Sequence, residues 1–280
     1  MRRLVPVLAV MMLAGALLVA GCAKPSEPEP TPMVAPPAII TAGTLTAGID
    51  LSTPPFGGVD AGREAGLDVD VAAALADKLG LTLTVVDVKP SDAATALADG
   101  SVDVVLSVPL DGPQLSSLAL SGTYATNGPA FFVSTGSTQS VEPSLTLDTL
   151  DVELIGAQQD SLAYWTLINE LGEEAVESYG TLREALEALD RDEIELVAGD
   201  AFVAAYIARD LPTVHYAGQL RDSSPLSVAT GSEATALGDA VREALDVLAA
   251  DGVLDTLRRK WVGELPELSL PASEASTSAP

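Results

Sequence analysis

From residue 39 to 263, apolar and polar positions fall into two kinds of run that alternate along the chain. Short runs dense in Val, Leu, Ile and Thr predict strands, and longer Ala/Leu runs with a period near 3.6 predict helices. Thr44-Leu45-Thr46-Ala47-Gly48-Ile49 predicts a first strand, followed by a loop holding Pro54 and Pro55. Over 68–79, Val69, Ala72, Ala73, Leu75, Ala76 and Leu79 share one broad face, and Gly80 supplies a C-terminal stop. Residues 81–88 predict a strand. Ser91 is placed to cap a short helix through Ala98, ended by Gly100, and 102–106 form an apolar strand. Strand, helix, strand, helix, strand is a parallel α/β unit.

The pattern then repeats loosely. Phe131-Phe132-Val133 and residues 153–157 predict strands, and 161–171 a helix. Residues 181–189 predict another, with Thr181 as cap and Glu184 at the capping-box position. A strand over 193–198 leads into a helix over 201–209, and 213–217 predict a further strand. After a strand at 226–229, two terminal helices over 233–248 and 253–261 are separated by Asp251-Gly252. Two α/β units of similar size predict two lobes rather than one long sheet.

The ends of the chain follow other rules. Met1-Arg2-Arg3 is a short basic segment, and 4–21 is an apolar run ending in Leu18-Val19-Ala20-Gly21-Cys22. That ending resembles the bacterial lipobox, in which small residues admit the signal peptidase and the cysteine becomes the lipid-bearing first residue. Residues 1–21 are thus expected to be a signal peptide and Cys22 the lipidation site; the bland alternative is an uncleaved anchor with an incidental cysteine. Both place the remainder outside the cytoplasm, on the outer face of the cell membrane. Residues 22–38 carry six prolines, which favour polyproline II and predict a stalk reaching roughly 50 Å at about 3.1 Å per residue. Residues 264–280, with three prolines, four serines and no basic residue, predict a disordered tail.

Composition narrows the partners. Of 280 residues, 14 are Lys or Arg and 40 are Asp or Glu, for a formal charge of -26. Binding a phosphate backbone requires clustered cations, so nucleic acid is excluded as a partner. The same charge opposes adsorption to anionic lipid, which leaves acyl chains on Cys22 as the means of membrane attachment. Aromatic residues are only 4%, so Ala, Val and Leu must build the core. One Cys and one His exclude a disulfide framework and Cys/His zinc sites, and no metal or cofactor site is expected.

Several short motifs, in order, resemble the bacterial extracellular solute-binding proteins of family 3, the polar amino-acid receptors of ABC importers. Gly43-Thr44-Leu45 opens the first strand, and Asp50 with Pro54-Pro55-Phe56 occupies the loop after it. Gly66-Leu67-Asp68-Val69-Asp70 resembles the family's entry to the first helix, with Leu67 in place of an aromatic. Residues 96–103 match its helix-to-strand signature, Asp200 followed by Ala204-Ala205-Tyr206 its acidic strand end, and Lys260-Trp261-Val262-Gly263 its closing segment. The resemblance covers about 43–263. It implies a two-lobed periplasmic-binding-protein-like α/β fold of type II, each lobe a sheet flanked by helices. Lobe one is then 39–127 with 226–263, and lobe two 128–225. A small polar solute, amino-acid-like or amine, would be trapped between them and delivered to an ABC permease.

The resemblance also implies a site. Asp200 stands where the family holds the ligand's ammonium, and it directly precedes a predicted helix that it could equally cap. Asp50 matches a ligand contact or is a turn residue beside Pro54. Phe56 belongs to the same loop. Ser107 and Ser161 match hydroxyl or backbone contacts, the latter also a plain helix cap. The carboxylate clamp departs from the family. Aligned without gaps, Gln114 falls where the family has its arginine, and a neutral amide cannot replace a guanidinium fork. Pro109 replaces a residue whose N–H also serves the carboxylate. Thr53 and Pro90 replace aromatics that sandwich the ligand, and Leu162 replaces a threonine. These departures, with Asp50 and Asp200 retained, favour a cationic or neutral amine over a carboxylate.

No nucleophile-elbow, phosphate-loop or dinucleotide motif occurs, and nothing near His215 in the sequence suggests a Ser/His pair, so an enzyme is not expected. Asp68 and Asp70 begin a helix and favour its dipole. Trp165 and Trp261 fall on predicted helices as packing residues. The alternative function is a two-lobed sensor or interaction lipoprotein that binds no small molecule.

Overall fold

The computed structural model describes residues 31–109, 118–135, 144–151 and 154–270. Its first sheet opens with β1 (Thr44–Ile49), and a small antiparallel hairpin of β2 (Gly58–Asp60) and β3 (Arg63–Ala65) follows. The chain continues through α1 (Leu67–Lys78), β4 (Thr82–Asp87), α2 (Ala93–Ala98), β5 (Val104–Pro109) and β6 (Leu118–Asn127). It then crosses to a second sheet through β7 (Pro129–Ser134), β8 (Ile155–Gln158), α3 (Leu162–Leu171), β9 (Val176–Tyr179), α4 (Leu182–Asp190), β10 (Val197–Asp200), α5 (Ala201–Ala208) and β11 (Val214–Gln219). β12 (Ser224–Gly231) returns to the first sheet, and α6 (Thr235–Ala250) and α7 (Val253–Val262) complete it.

Among the described residues the strand orders are β4-β1-β5-β12-β6 and β11-β7-β10-β8-β9. Both sheets are mixed. β1 runs parallel to β4 and β5, whereas β12 runs antiparallel to β5 and β6. β8 runs parallel to β9 and β10, whereas β7 runs antiparallel to β10 and β11. Helices cover the sheets, and no helix of the described residues is long and apolar enough to cross a membrane. The chain passes between the sheets at Gly128 and again between Gln219 and Ser224.

Local chemistry explains most element boundaries. Thr181 and Glu184 form the expected capping box on α4, with reciprocal bonds of 3.1 and 2.9 Å. Gly66 lets the start of α1 dock on the loop after β1, because a Cβ there would collide with the Phe56 carbonyl. Leu67 and Asp68 then donate their N–H groups to Pro55 and Phe56 at 2.8 and 2.9 Å. Asp103, 6% exposed, accepts from the N–H groups of Ile40 and Thr46, both at 2.7 Å, and so ties the approach to β5 to the entry of β1.

The structure differs from the sequence pattern in several places. A 3₁₀ turn (Pro90–Asp92) precedes α2, so Asp92 rather than Ser91 is the N-cap position; Pro90 sets the backbone of that turn. β6, β9 and the β2–β3 hairpin are additional strands. Trp165 is half-exposed, with its ring edge against Tyr164, whereas Trp261 packs against Tyr206 of α5 at 6.3 Å. Asp70 accepts from the Lys260 ammonium and the Trp261 indole N–H, both at 2.6 Å, a role beyond that of a helix-dipole charge.

The described parts of both terminal segments are packed. Val34 is buried, and Met33 donates its N–H to Leu79 at 2.9 Å, so the end of the proline-rich stretch lies on the first lobe rather than continuing as a free stalk. Residues 264–270 likewise do not behave as an unpacked tail. Leu265 and Leu268 are buried in the main core cluster, Arg258 donates to the Leu265 carbonyl, and Ser269 bonds to Gln219 and Ser223. Burial of two leucines outweighs the low complexity of the segment. Leu268→Ala is therefore expected to lower stability by about 2–4 kcal/mol in urea unfolding of the mature chain; an unpacked tail would leave the midpoint unchanged.

Candidate functional site

β10 ends at Asp200, and the same residue starts α5. Its Oδ1 accepts from the Val203 N–H at 2.9 Å, which satisfies one of the helix's unpaired donors. Its Oδ2 accepts from the Asn127 carboxamide at 2.6 Å, and the Asn127 oxygen accepts from the Phe202 N–H at 3.2 Å. Asn127 is the last residue of β6, so this pair joins the first sheet to the helix start of the second. Burial raises the Asp200 carboxyl above its ordinary range, opposed by the bonds from Val203, Asn127 and Phe202.

Beside this pair lies a cavity of about 480 Å³ lined by Asn127, Ser161, Leu162, Asp200, Arg221 and Asp222, among others. Its volume falls within the range of sites for small polar molecules. Ser161 caps α3 by accepting from the Tyr164 N–H at 3.1 Å, which leaves its hydroxyl hydrogen to donate elsewhere. Leu162, 65% exposed, provides an apolar wall. Arg221 and Asp222 come from the passage between β11 and β12. The cavity therefore combines two carboxylates, one guanidinium, the hydroxyl-bearing Ser161 and Ser224, and an apolar surface where the chain crosses between sheets. Among the described residues, no group of three or more His, Cys, Asp or Glu side chains is placed to hold a metal ion.

The other expected residues are engaged differently. Asp50 accepts from the N–H and hydroxyl of Ser52 at 2.8 and 2.5 Å and from the Thr53 hydroxyl at 3.2 Å. Burial alone would raise its carboxyl, but the Ser52 and Thr53 bonds, with the nearby Lys89 charge, hold it below the ordinary value. It organises a turn and does not line the cavity. Phe56 stacks on Phe202 with ring centroids 5.8 Å apart and a 12° interplanar angle, a packing contact between the loop after β1 and the first turn of α5.

Ser107, with a left-handed φ of 56°, is locked in a buried cluster. Its N–H donates to the Tyr124 hydroxyl at 2.9 Å and its hydroxyl donates to Asp68 at 2.6 Å; Tyr124 donates to the other Asp68 oxygen at 2.6 Å. Asp68 is 1% exposed. Gln114 and Cys22 lie outside the described residues. Ser161 and Asp200 thus meet at the cavity, whereas Asp50, Phe56 and Ser107 do not line it. Asn127, Arg221 and Asp222 carried no sequence signal: Asn127 ends a strand interrupted by Gly122 and polar residues, and the other two occupy a patternless connection.

The sequence profile of the bacterial extracellular solute-binding proteins, family 3, matches residues 45–264, and the chain belongs to that family. Comparison with curated proteins gives no match. Solved structures share the fold. An ancestral cationic amino acid solute-binding protein is 24% identical, covering 79% of this chain and 96% of its own, with a TM-score of 0.68. A polar amino acid ABC uptake transporter substrate-binding protein from Streptococcus thermophilus is 17% identical, covering 85% and 92%, with a TM-score of 0.70. An amino acid ABC transporter substrate-binding protein from Streptococcus pneumoniae, bound to L-arginine, is 23% identical, covering 80% and 95%, with a TM-score of 0.56.

The Asp68 cluster makes stability depend on pH. Burial raises the Asp68 carboxyl from 3.8 to about 7, with the Asp50 charge adding to the rise and the Ser107 and Tyr124 bonds opposing it. Between those values the folded chain holds a proton that the unfolded chain releases. The stabilising contribution is therefore complete below about pH 4 and lost as pH rises through about 7. Compared with Asp68→Asn, the native chain should lose on the order of 4 kcal/mol between pH 4 and pH 8. Urea unfolding across that range checks this, and a constant difference between the two proteins would contradict it.

Proposed function

We propose that this family member is the lipid-anchored, extracytoplasmic receptor of an ABC importer, taking an amine-bearing, amino-acid-like solute into the cavity at Asp200. The observation that carries the reading is the position of that carboxylate: it caps α5, yet lines a cavity of about 480 Å³ beside the Ser161 hydroxyl. Its donors are neutral, so no neighbouring cation within that set of bonds cancels the charge it can offer a ligand's ammonium group. The named relatives, which include a cationic amino acid binder and a receptor holding L-arginine, support a solute of this kind. Closure of two lobes on the solute would give the permease a shape to read. Anchoring through acyl chains on Cys22 is the part of the proposal that rests on the lipobox-like sequence.

A second reading, a sensor or interaction lipoprotein without a small ligand, draws on the engagement of Asp50 and Ser107 within the fold. The two readings separate at Asp200. Asparagine keeps one acceptor for the helix cap but turns its NH2 toward the Asn127 carboxamide, so Asp200→Asn should cost the fold about 1–3 kcal/mol, and binding is compared at a temperature where the variant is still folded. Loss of the charge should weaken an amine-bearing solute by about ten- to a hundredfold in calorimetry. Failure of amino acids and amines to bind the native chain would favour the second reading. Cys22→Ser should release the protein from membranes or leave its precursor unprocessed, as read by fractionation and intact mass. An unchanged mass and unchanged membrane association would contradict the anchor.

A further inference from the structure

The two crossings between the sheets touch each other. Gly128 of the first lies so close to Ser223 of the second that a Cβ on the glycine would stand 2.8 Å from the Ser223 hydroxyl and 2.9 Å from its Cα. Leu220 donates its N–H to the Pro129 carbonyl at 3.0 Å, a further tie between the crossings. Two packed crossings form one joint about which two lobes can turn. Opening at such a joint is absorbed as φ/ψ changes in a few residues, so whatever immobilises those residues limits the turn.

The C-terminal segment reaches this joint from outside. It leaves α7 of the first lobe, whose Arg258 donates to the Leu265 carbonyl, and Leu265 and Leu268 anchor it in the main core cluster. Ser269 then pairs with Gln219, the last residue of β11 in the second sheet. Its N–H donates to the Gln219 side-chain oxygen at 2.7 Å, and its carbonyl accepts from the Gln219 amide at 3.2 Å. The same carbonyl accepts at 3.2 Å from the N–H of Ser223, a residue only 1% exposed. The segment is thus a third connection between the sheets beside the two covalent ones. Residues 265–269 also lie beyond the part of the chain that the family profile matches, which ends at 264.

We propose that residues 265–269 are a hinge strap, which restrains how far the two lobes open by binding Gln219 and Ser223 at the joint. Two crossings leave rotation about the line through them free, and a third tie to the end of β11 resists it. Neutral hydrogen bonds at a partly exposed site bias such a rotation and still release. The rival restraint is the contact of α5 with α7, where Trp261 packs on Tyr206 at 6.3 Å and Arg209 donates to the Trp261 carbonyl at 3.5 Å.

Distances between the lobes separate the two. In the mature chain carrying Cys22→Ser, Asp77→Cys on α1 and Glu170→Cys on α3 place nitroxide labels at two exposed positions, and electron double resonance reads their distance distribution. Ending the chain after Leu268 removes the Ser269 bonds and keeps both buried leucines. It should broaden the distribution and raise the ratio of open to native distances by about five- to fiftyfold. Ser269→Pro in the complete chain removes one donor, so it should act in the same direction to a smaller extent, and it decides the matter if the shortened chain does not fold. Ser269→Ala keeps both main-chain groups and should match the native chain. A distribution unchanged in the shortened chain and in Ser269→Pro would overturn the proposal and leave the α5–α7 contact as the restraint. Broadening by Gln219→Leu alone would also overturn it, because that side chain bonds Arg221 and Ser223 within the joint itself.

Discussion

The Asn127–Asp200 pair is the contact through which the two sheets share a site. Asn127 ends the last strand before the first crossing, and its carboxamide both donates to Asp200 and accepts from the next turn of α5. A buried carboxylate is costly unless its oxygens are hydrogen-bonded, and neutral partners satisfy it without cancelling its charge. The two bonds therefore stabilise the helix start and preserve a charge at the cavity. They also join the start of α5 to the end of β6, alongside the Phe56–Phe202 stack.

A second buried group works in the opposite sense. Asp68 is enclosed by hydroxyl donors from Ser107 and Tyr124, and burial outweighs their effect enough to hold its proton near neutral pH. The cluster joins the start of α1 to β5 and β6, the strands that lead toward the crossing. Ser107's left-handed backbone is held by the bond from its N–H to Tyr124, which offsets a conformation that side chains otherwise avoid. Asp50, near Asp68, is absorbed into its own turn. Of these three acidic residues near the strand ends, then, Asp68 is raised by burial into the neutral range, Asp50 is consumed by a turn, and Asp200 lines the cavity.

The second crossing is tied from outside by the C-terminal segment. Leu265 and Leu268 fill the main core cluster, and their burial brings Ser269 to Gln219 and Ser223. The same glutamine bonds the carbonyl of Arg221, so the terminal segment contributes to where a cavity residue sits.

Much of the fold was legible because local rules act over a few residues. The capping box at Thr181 and Glu184, the Ser161 cap and the stop at Gly80 depend on bonds within one helical turn, and the structure contains each of them. Apolar periodicity likewise marked the major helices and the central strands β1, β5, β10 and β12, because burial on one face leaves its period in the sequence. β6 was hidden: its face is polar in part, and Gly122 interrupts it so that Leu245 of α6 can approach. Family membership was legible through motifs that each express such local constraints. The composition of the site was not. Asn127 and Asp200 are 73 residues apart, and Arg221 lies on a connection with no periodicity. Which carboxylate is capped, which is enclosed and which remains available depends on chain reversals between sheets, and no local pattern encodes those distances.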